Sequence, residues 1–446
     1  MMIVEDSNHP LANQLPNDYG KNDFPIIIQE KDFVFNGNTA TDIKATEQPG
    51  NGRFTVVNGV AGGVMHVPKQ MVRLRFLNGS PRKMYGISLS TERDNPTSFK
   101  TIYQVATGGG YLQQVRFIDS TLLSVGDRRD FVVDFTTYAD GDTVYLINNY
   151  LPTDALYLNG MPAPTSRMPA SADRAIMAFV VDQSINPAQP VFAIPVGLDP
   201  TYALAPGDVF RTRTKRLMGG SGQQWTINGD TMNMMVINDT VLVNTKERWI
   251  IKNETNHAHP FHIHKVQFQV VEYTGKLGFS DDSTTTYTFS NLPDELVGWK
   301  DVQLVRAGAT MTFEARFDSF PSPAISPMEG FMYHCHILTH EDNSMMGQFV
   351  VVDSLAYYTN TNKISITKSL FVFPNPAGDM ISFDAADIND KGTLRIYDIT
   401  GRMLREENNM FLSGRSSINV SDLPRGMIFV EFRTEKERYL QKVLLH

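Results

Sequence analysis

A chain of 446 residues with 41% hydrophobic residues is long enough for about three domains, each with its own core. Its formal charge of -8 argues against a nucleic-acid partner, and no basic patch interleaved with aromatics offsets that charge. No apolar run approaches the ~20 residues of a membrane-spanning helix, and a single cysteine excludes an internal disulfide and leaves the compartment open.

In chain order, short apolar runs separated by Gly, Asn, Asp and Pro recur with little helical periodicity, which predicts an all-β chain of sandwiches. Val72-Arg-Leu-Arg-Phe-Leu-Asn78 alternates, and Asp130-Phe-Val-Val-Asp-Phe135 reads as another strand after a turn at Gly126-Asp127. The run Gly108-Gly-Gly110 reads as turn chemistry, since no helix pattern follows it as a nucleotide loop would require. A Pro-rich passage over residues 186–190 and 195–206 marks a domain boundary. Beyond it, Met232, Met234 and Met235 read as core filler rather than soft-metal ligands. Residues 278–291, rich in Ser, Thr and Asp, read as an exposed loop.

The strongest pattern lies in two short segments, His259-Pro-Phe-His262-Ile-His264 and Tyr333-His334-Cys335-His336, the latter followed by His340 and Met345. Six of the ten histidines fall there, which core packing of isolated histidines does not produce. A thiolate, imidazoles and a soft thioether suit a blue-copper electron-transfer site, whereas structural zinc closes with four ligands and has no use for methionine. Residues 330–336 are aromatic-rich and start at a glycine, so they read as a strand. Alternation then sends His334 and His336 to one face and Cys335 to the other. His262 and His264 share a face, and His259, before a break at Pro260, can turn toward the cysteine side. The reading is one copper held by His259, Cys335, His340 and axial Met345, with His262, His264, His334 and His336 facing a second, all-imidazole centre.

These segments resemble the third cupredoxin domain of multicopper oxidases, in the branch of bacterial cuprous oxidases, spore-coat laccases and bilirubin oxidases. Gln224-Trp-Thr-Ile-Asn-Gly229 and Gly298-Trp-Lys-Asp301 add to the resemblance, and Lys265 departs from it where many relatives carry glycine. The resemblance implies that His259, Cys335, His340 and Met345 hold a type 1 copper, that His262 binds a type 2 copper, and that His264, His334 and His336 bind a type 3 pair. It further implies one-electron oxidation of a phenolic, tetrapyrrole or metal-ion reductant, coupled to reduction of O2 to water, with electrons leaving through Cys335 and protons relayed by Glu341.

The same resemblance implies eight histidines around the oxygen-reducing centre, and four of them have counterparts here. His9, His66, His257 and His446 read as surface or loop residues and form no His-x-His pair. Residues 1–14 resemble the last strand of a first cupredoxin domain, so a truncated start lacking a signal peptide is the expectation. Residues 15–185 resemble the second cupredoxin domain, without copper ligands. Residues 186–353 form the copper-bearing domain and 354–369 a linker. Residues 370–446, with Phe371-Val-Phe-Pro-Asn-Pro-Ala377 and Leu394-Arg-Ile-Tyr-Asp-Ile-Thr-Gly-Arg402, resemble the C-terminal sorting domain of type IX secretion substrates. That tail implies a small β-sandwich read by secretion machinery and a secreted or cell-surface location. The alternative to an oxidase is a one-copper electron-transfer or copper-binding protein, which is all that the visible ligands complete.

Overall fold

The computed structural model describes residues 3, 8–37, 39–43, 54–94, 96–149, 174–199, 203, 207–220, 222–277, 284–318, 322, 330–353, 368–369, 371–399, 402–434 and 438–446. The linker expectation for 354–369 falls largely outside them, and of the segment 1–14 they include residues 3 and 8–14. The chain divides into two compact units, Met1–Asn233 with Ile237–Asp353, and Met234–Val236 with Ser354–His446. Among the described residues, no helix is long and apolar enough to cross a membrane.

The first part of the larger unit is a pair of sheets. In one, Asp23–Lys31 runs parallel to Met71–Asn78, which pairs antiparallel with Arg128–Asp134, followed by Ile102–Thr107 and Gly110–Ile118. The facing sheet runs through Thr121–Leu123, Tyr85–Ser90, Thr143–Asn148, Ala175–Val181 and Val64–Val67. Ile26, Leu74, Phe131, Leu146 and Phe179 fill the core between them, each contributing about 1.5–3 kcal/mol of burial.

Met71–Asn78 departs from the half-exposed strand that its alternation predicts, because almost all of it is buried. Its polar face carries Arg73 against Asp130 and Arg75 against Asp23. A second apolar cluster that includes Leu11, Leu15, Val191 and Leu198 lies on this side of the sheet. The Pro-rich passage thus adds a layer to the sandwich, anchored where Met71 N–H donates to the Val191 carbonyl at 2.8 Å.

A second pair of sheets follows. Its outer sheet runs Gln223–Ile227, Val209–Gly220, Lys246–Asn253, Thr310–Arg316, Phe268–Gly275 and Thr285–Thr288. Its inner sheet runs Asp239–Leu242, Met346–Val352, Phe331–Cys335, His259–Ile263 and Val302–Val305. Trp249, Phe261, Phe313, Tyr333 and Phe349 pack between them. Part of the expected loop at 278–291 is ordered instead: Thr285–Thr288 pairs with Phe268–Gly275, and Phe289–Asn291 makes a turn of 3-10 helix. Its Thr and Tyr residues suit an edge strand better than a loop, while 278–283 lie outside the described residues.

The two sandwiches of this unit meet at a keyed contact. The turn at Gly109 donates its N–H to the Trp299 carbonyl at 2.9 Å, and a Cβ there would stand 2.6 Å from that same oxygen. Only glycine permits the approach. Arg128 grips Asp301 through two parallel hydrogen bonds, of 2.5 and 2.8 Å.

In the smaller unit the long strand Met380–Asp398 pairs with both Met403–Asn419 and Gly426–Thr434. Arg438–Leu445 and Lys368–Ser369 extend the sheet on one side, and Phe371–Phe373 pairs with Met380–Asp398. Ile381, Phe383, Leu394, Ile396, Val430 and Phe432 form its core. The chain is all-β as expected.

Candidate metal centres

Two adjacent strands and the residue that follows each of them position every donor except His340, on the short helix that follows, and Met345, just beyond that helix. His259–Ile263 pairs antiparallel with Phe331–Cys335, with His262 opposite His334 and Phe261 opposite Cys335. His259, Phe261 and Ile263 therefore share the face of Cys335, and His262 and His264 share the face of His334. The expected break at Pro260 is absent: Pro260 lies inside the strand, paired with Leu304. His259 reaches the cysteine side by simple alternation, being three residues from His262.

On the cysteine side, His259 Nδ1 lies 3.4 Å from Cys335 Sγ, His340 Nδ1 lies 3.6 Å from it, and the two Nδ1 atoms are 3.2 Å apart. A point equidistant from three atoms so spaced is about 2.0 Å from each, the length of a metal–imidazole bond. His340 stands on the short helix Leu338–Asp342, whose N-terminal turn brings it back over the strand it has just left. Met345 is fully buried, and its backbone closes the loop by hydrogen bonds to Cys335 N–H at 3.2 Å and from its own N–H to the His340 carbonyl at 3.0 Å.

The electrostatics favour metal over proton at this cluster. Burial holds His259 well below the ordinary histidine value, with His340 and His257 adding to the shift. Burial, then the Arg82 and His257 charges, bring His340 down to about 3. Burial pushes the Cys335 thiol far up, so a thiolate here needs a cation beside it. Trp225 covers the site, its ring 4.2 Å from that of His340 and 5.2 Å from that of His259.

On the other side, one ligand atom each from His262, His264 and His334 lie within 4.8 Å of one another. The His336 ring is 5.4 Å from that of His262 and 5.6 Å from that of His334. His262 donates from Nδ1 to the Asp301 carbonyl at 2.8 Å, which leaves Nε2 free for a metal. Burial brings His262 down to about 4, against the pull of Asp301 and with help from His336 and His334. Glu341 Oε2 stands 3.2 Å from His334 Nδ1, and burial raises its carboxyl above the ordinary value, with His336 opposing. The turn at Gly126 lies against His336 so closely that a Cβ would meet its Cδ2 and Nε2 at 2.8 Å.

The remaining sequence expectations divide. His66 lies 3.4 Å from Asp182 on an open strand, and His9 packs on Tyr111. His257 is on a loop but is buried beside the first cluster, its ring 5.1 Å from that of Trp225. The methionines are not core filler: Met234 is 58% exposed and Met232 and Met235 are half-buried, because the segment between the strands runs along the surface. Sequence reasoning gave no role to Thr255 or Arg128, and it read Gly126 only as part of a turn and Asp301 only as part of the Gly298-Trp-Lys-Asp301 motif. An Asn-x-Thr spacing ahead of His259 was the local signal available for Thr255.

A family model described as multicopper oxidase matches residues 209–354, and one described as a secretion system C-terminal sorting domain matches residues 371–446. The chain is 30% identical over 354 residues to the bilirubin oxidase of Albifimbria verrucaria, covering 76% of this chain and 54% of that protein. It is 28% identical over 360 residues to a multicopper oxidase of Staphylococcus haemolyticus, covering 79% and 63%. It thus spans less than two thirds of the length of these relatives. Among solved structures, a laccase-like multicopper oxidase from the lignin-degrading bacterium Ochrobactrum sp. superposes with a TM-score of 0.57 at 25% identity, covering 76% of this chain and 69% of that one. The double-faced histidine and cysteine ladder therefore sits within a multicopper oxidase domain, and the chain that carries it ends in a secretion-system sorting domain.

Proposed function

We propose that this chain is the copper-bearing part of a secreted, laccase-like oxidoreductase that draws single electrons from a phenolic, tetrapyrrole or metal-ion reductant and delivers them to dioxygen. The observation that carries the reading is the shared ladder, on which Cys335 faces one cluster while its covalent neighbours His334 and His336 face the other.

The donor sets fit copper on both sides. His259, Cys335, His340 and Met345 make a type 1 set, and His262 with His264, His334 and His336 contribute to type 2 and type 3 sets. When bound, copper supplies one-electron storage at the first set and oxygen binding at the second. The residues do the rest. Burial of His259 and Cys335 excludes water and keeps the donors in place. The path from Cys335 to His334 or His336 runs along covalent bonds. Glu341, held beside His334 with a raised affinity for its proton, is placed to pass protons to the imidazole face. Asp301 and Arg128 fix His262 from behind. The sorting domain hands the chain to the secretion machinery for export to the cell surface or beyond.

The resemblance assigns four of eight histidines of the oxygen-reducing centre to this chain, so ligand completeness separates an oxidase from a one-copper electron carrier. The test is to reconstitute the purified chain with copper, count the metal and record O2 uptake with a phenolic reductant. One blue copper without O2 uptake selects the electron carrier for this chain, while four coppers with turnover select the oxidase. A colourless protein that takes up no copper rejects both.

A further inference from the structure

His259 has both ring nitrogens engaged. Nδ1 faces the sulfur and His340, while Nε2 lies 2.8 Å from the Thr255 hydroxyl. That hydroxyl is also 2.8 Å from Asn253 Oδ1 and 3.0 Å from the His257 carbonyl, and it accepts the His257 N–H at 3.1 Å. A threonine hydroxyl has one proton and two lone pairs, so the protons around it can be counted.

The Asn253 amide is oriented by its surroundings. Its NH2 faces three carbonyls, those of His257 at 2.6 Å and of Val305 and Arg306 at 3.0 Å. Its Oδ1 must therefore face Thr255, whose backbone N–H donates to it at 3.0 Å. Two oxygens 2.8 Å apart need a proton between them, and an amide oxygen has none to give. The hydroxyl proton is thereby committed to Asn253 Oδ1, shared with the His257 carbonyl. One lone pair is taken by the His257 N–H. The other faces His259 Nε2, which has to be the donor. A neutral imidazole protonated at Nε2 is bare at Nδ1, and Nδ1 is the atom aimed at Cys335 and His340.

We infer that Thr255 is a positioning residue that fixes the His259 tautomer, with Asn253 holding its hydroxyl proton away, so that a ligand lone pair faces the metal before any metal arrives. The inference rests on the copper reading only for its metal-binding arm. The proton count stands without it. Two imidazoles of the opposite face are set by different means, His262 and His334 donating from Nδ1 to the backbone carbonyls of Asp301 and Cys335, so the ligand nitrogens of the two faces are chosen by separate hydrogen bonds.

The test uses the full chain, stripped of metal and labelled with 15N at histidine, as wild type, Thr255→Ser and Thr255→Val. Long-range proton–nitrogen correlation spectra report which ring nitrogen of His259 carries the proton. The expected result is protonated Nε2 in wild type and T255S, and a mixed or inverted tautomer in T255V. Copper(II) titration should then show T255V binding about 10–100-fold more weakly, with a shifted blue band, and T255S recovering most of the loss. A wild-type ring protonated at Nδ1 overturns the inference, even if T255V fails to fold. So does a T255V protein that keeps both the tautomer and the copper affinity of wild type. A wild type with the expected tautomer that binds no copper upholds the inference and rejects the functional reading.

Discussion

His262 is the direct cross-strand partner of His334. The pair fixes which way every other donor on the two strands points, because side chains at odd spacing from either residue must emerge on the opposite face. The sulfur and the imidazole cluster are therefore built by one set of backbone hydrogen bonds. Replacing Cys335 by Ser removes the thiolate and leaves that ladder intact. Reconstituted C335S should lose the intense orange-red absorption band with an unchanged far-ultraviolet circular dichroism spectrum, and a persistent blue colour would refute the assignment of the sulfur.

The imidazoles make the metal-free protein acid-sensitive in a defined window. His262 titrates at about 4 and His340 at about 3 when folded, against about 6.5 in an unfolded chain. Between those values the unfolded state holds more protons, so stability is full above about pH 6.5 and falls as the pH drops toward 4. Urea unfolding of metal-free protein at pH 7 and pH 5 should show a lower midpoint at pH 5. Equal midpoints would mean the rings are not buried as neutral groups.

Arg128 and Asp301 tie one sandwich of the larger unit to the other, with side chains 29% and 22% exposed. Arg128→Met should cost about 1–3 kcal/mol and loosen the carbonyl that holds His262. Burial works against the Asp301 carboxylate, but hydrogen bonds and charge from Arg128 outweigh it and lower its affinity for protons. The stabilisation it gives is thus complete above the ordinary carboxylate value near 3.9 and disappears as pH falls through the lower folded value. Thermal melts of wild type and R128M should converge in strong acid and diverge at neutral pH.

Gly126 sits at a φ of 77° with its α-carbon facing His336. Gly126→Ala pays a backbone cost of about 1–2 kcal/mol and drives a methyl group into the ring. The expected outcome is weaker metal binding on the imidazole face with the blue band retained, read by counting bound copper. Loss of the blue band with the imidazole face still loaded would contradict the placement.

Glu341→Gln keeps the size of the side chain and removes the exchangeable carboxyl proton beside His334. In a protein with full oxygen turnover, E341Q should keep its blue band and reduce O2 about a hundredfold more slowly, the low end of general acid–base effects. Unchanged turnover would reduce Glu341 to a solvated helix residue.

The sequence made the donors legible because their spacing is local. Alternation on a strand assigns faces without knowing the fold, and it did so for Cys335, His334 and His262. It misjudged Pro260, since proline in the Leu304 pairing position is tolerated at a place where the ladder needs no N–H. Lys265 is explained only by the backbone: it has a φ of 72°, the conformation in which glycine is least strained, and its ammonium lies over the Phe331 ring at 4.4 Å. The turn at Gly126 and the Gly298-Trp-Lys-Asp301 motif were visible, but what Gly126, Arg128 and Asp301 do at the site was out of reach, because the ion pair closes across 173 residues and no local pattern says which distant side chain each one meets. The methionines near Met234 mislead for the opposite reason, since apolar composition does not reveal which segment the sheet leaves outside.

The shared ladder makes length, rather than identity, the quantity most tightly constrained in the segment ending at Cys335. Conservative exchanges at Phe331 or Met332 leave every donor where it was. Deleting one residue there, or inserting one, would turn the sulfur toward the imidazole cluster and an imidazole into the place of the sulfur, undoing both centres at a stroke while leaving the composition nearly untouched. Drift in this lineage should accordingly show substitutions in these strands and gaps only in the turns that flank them.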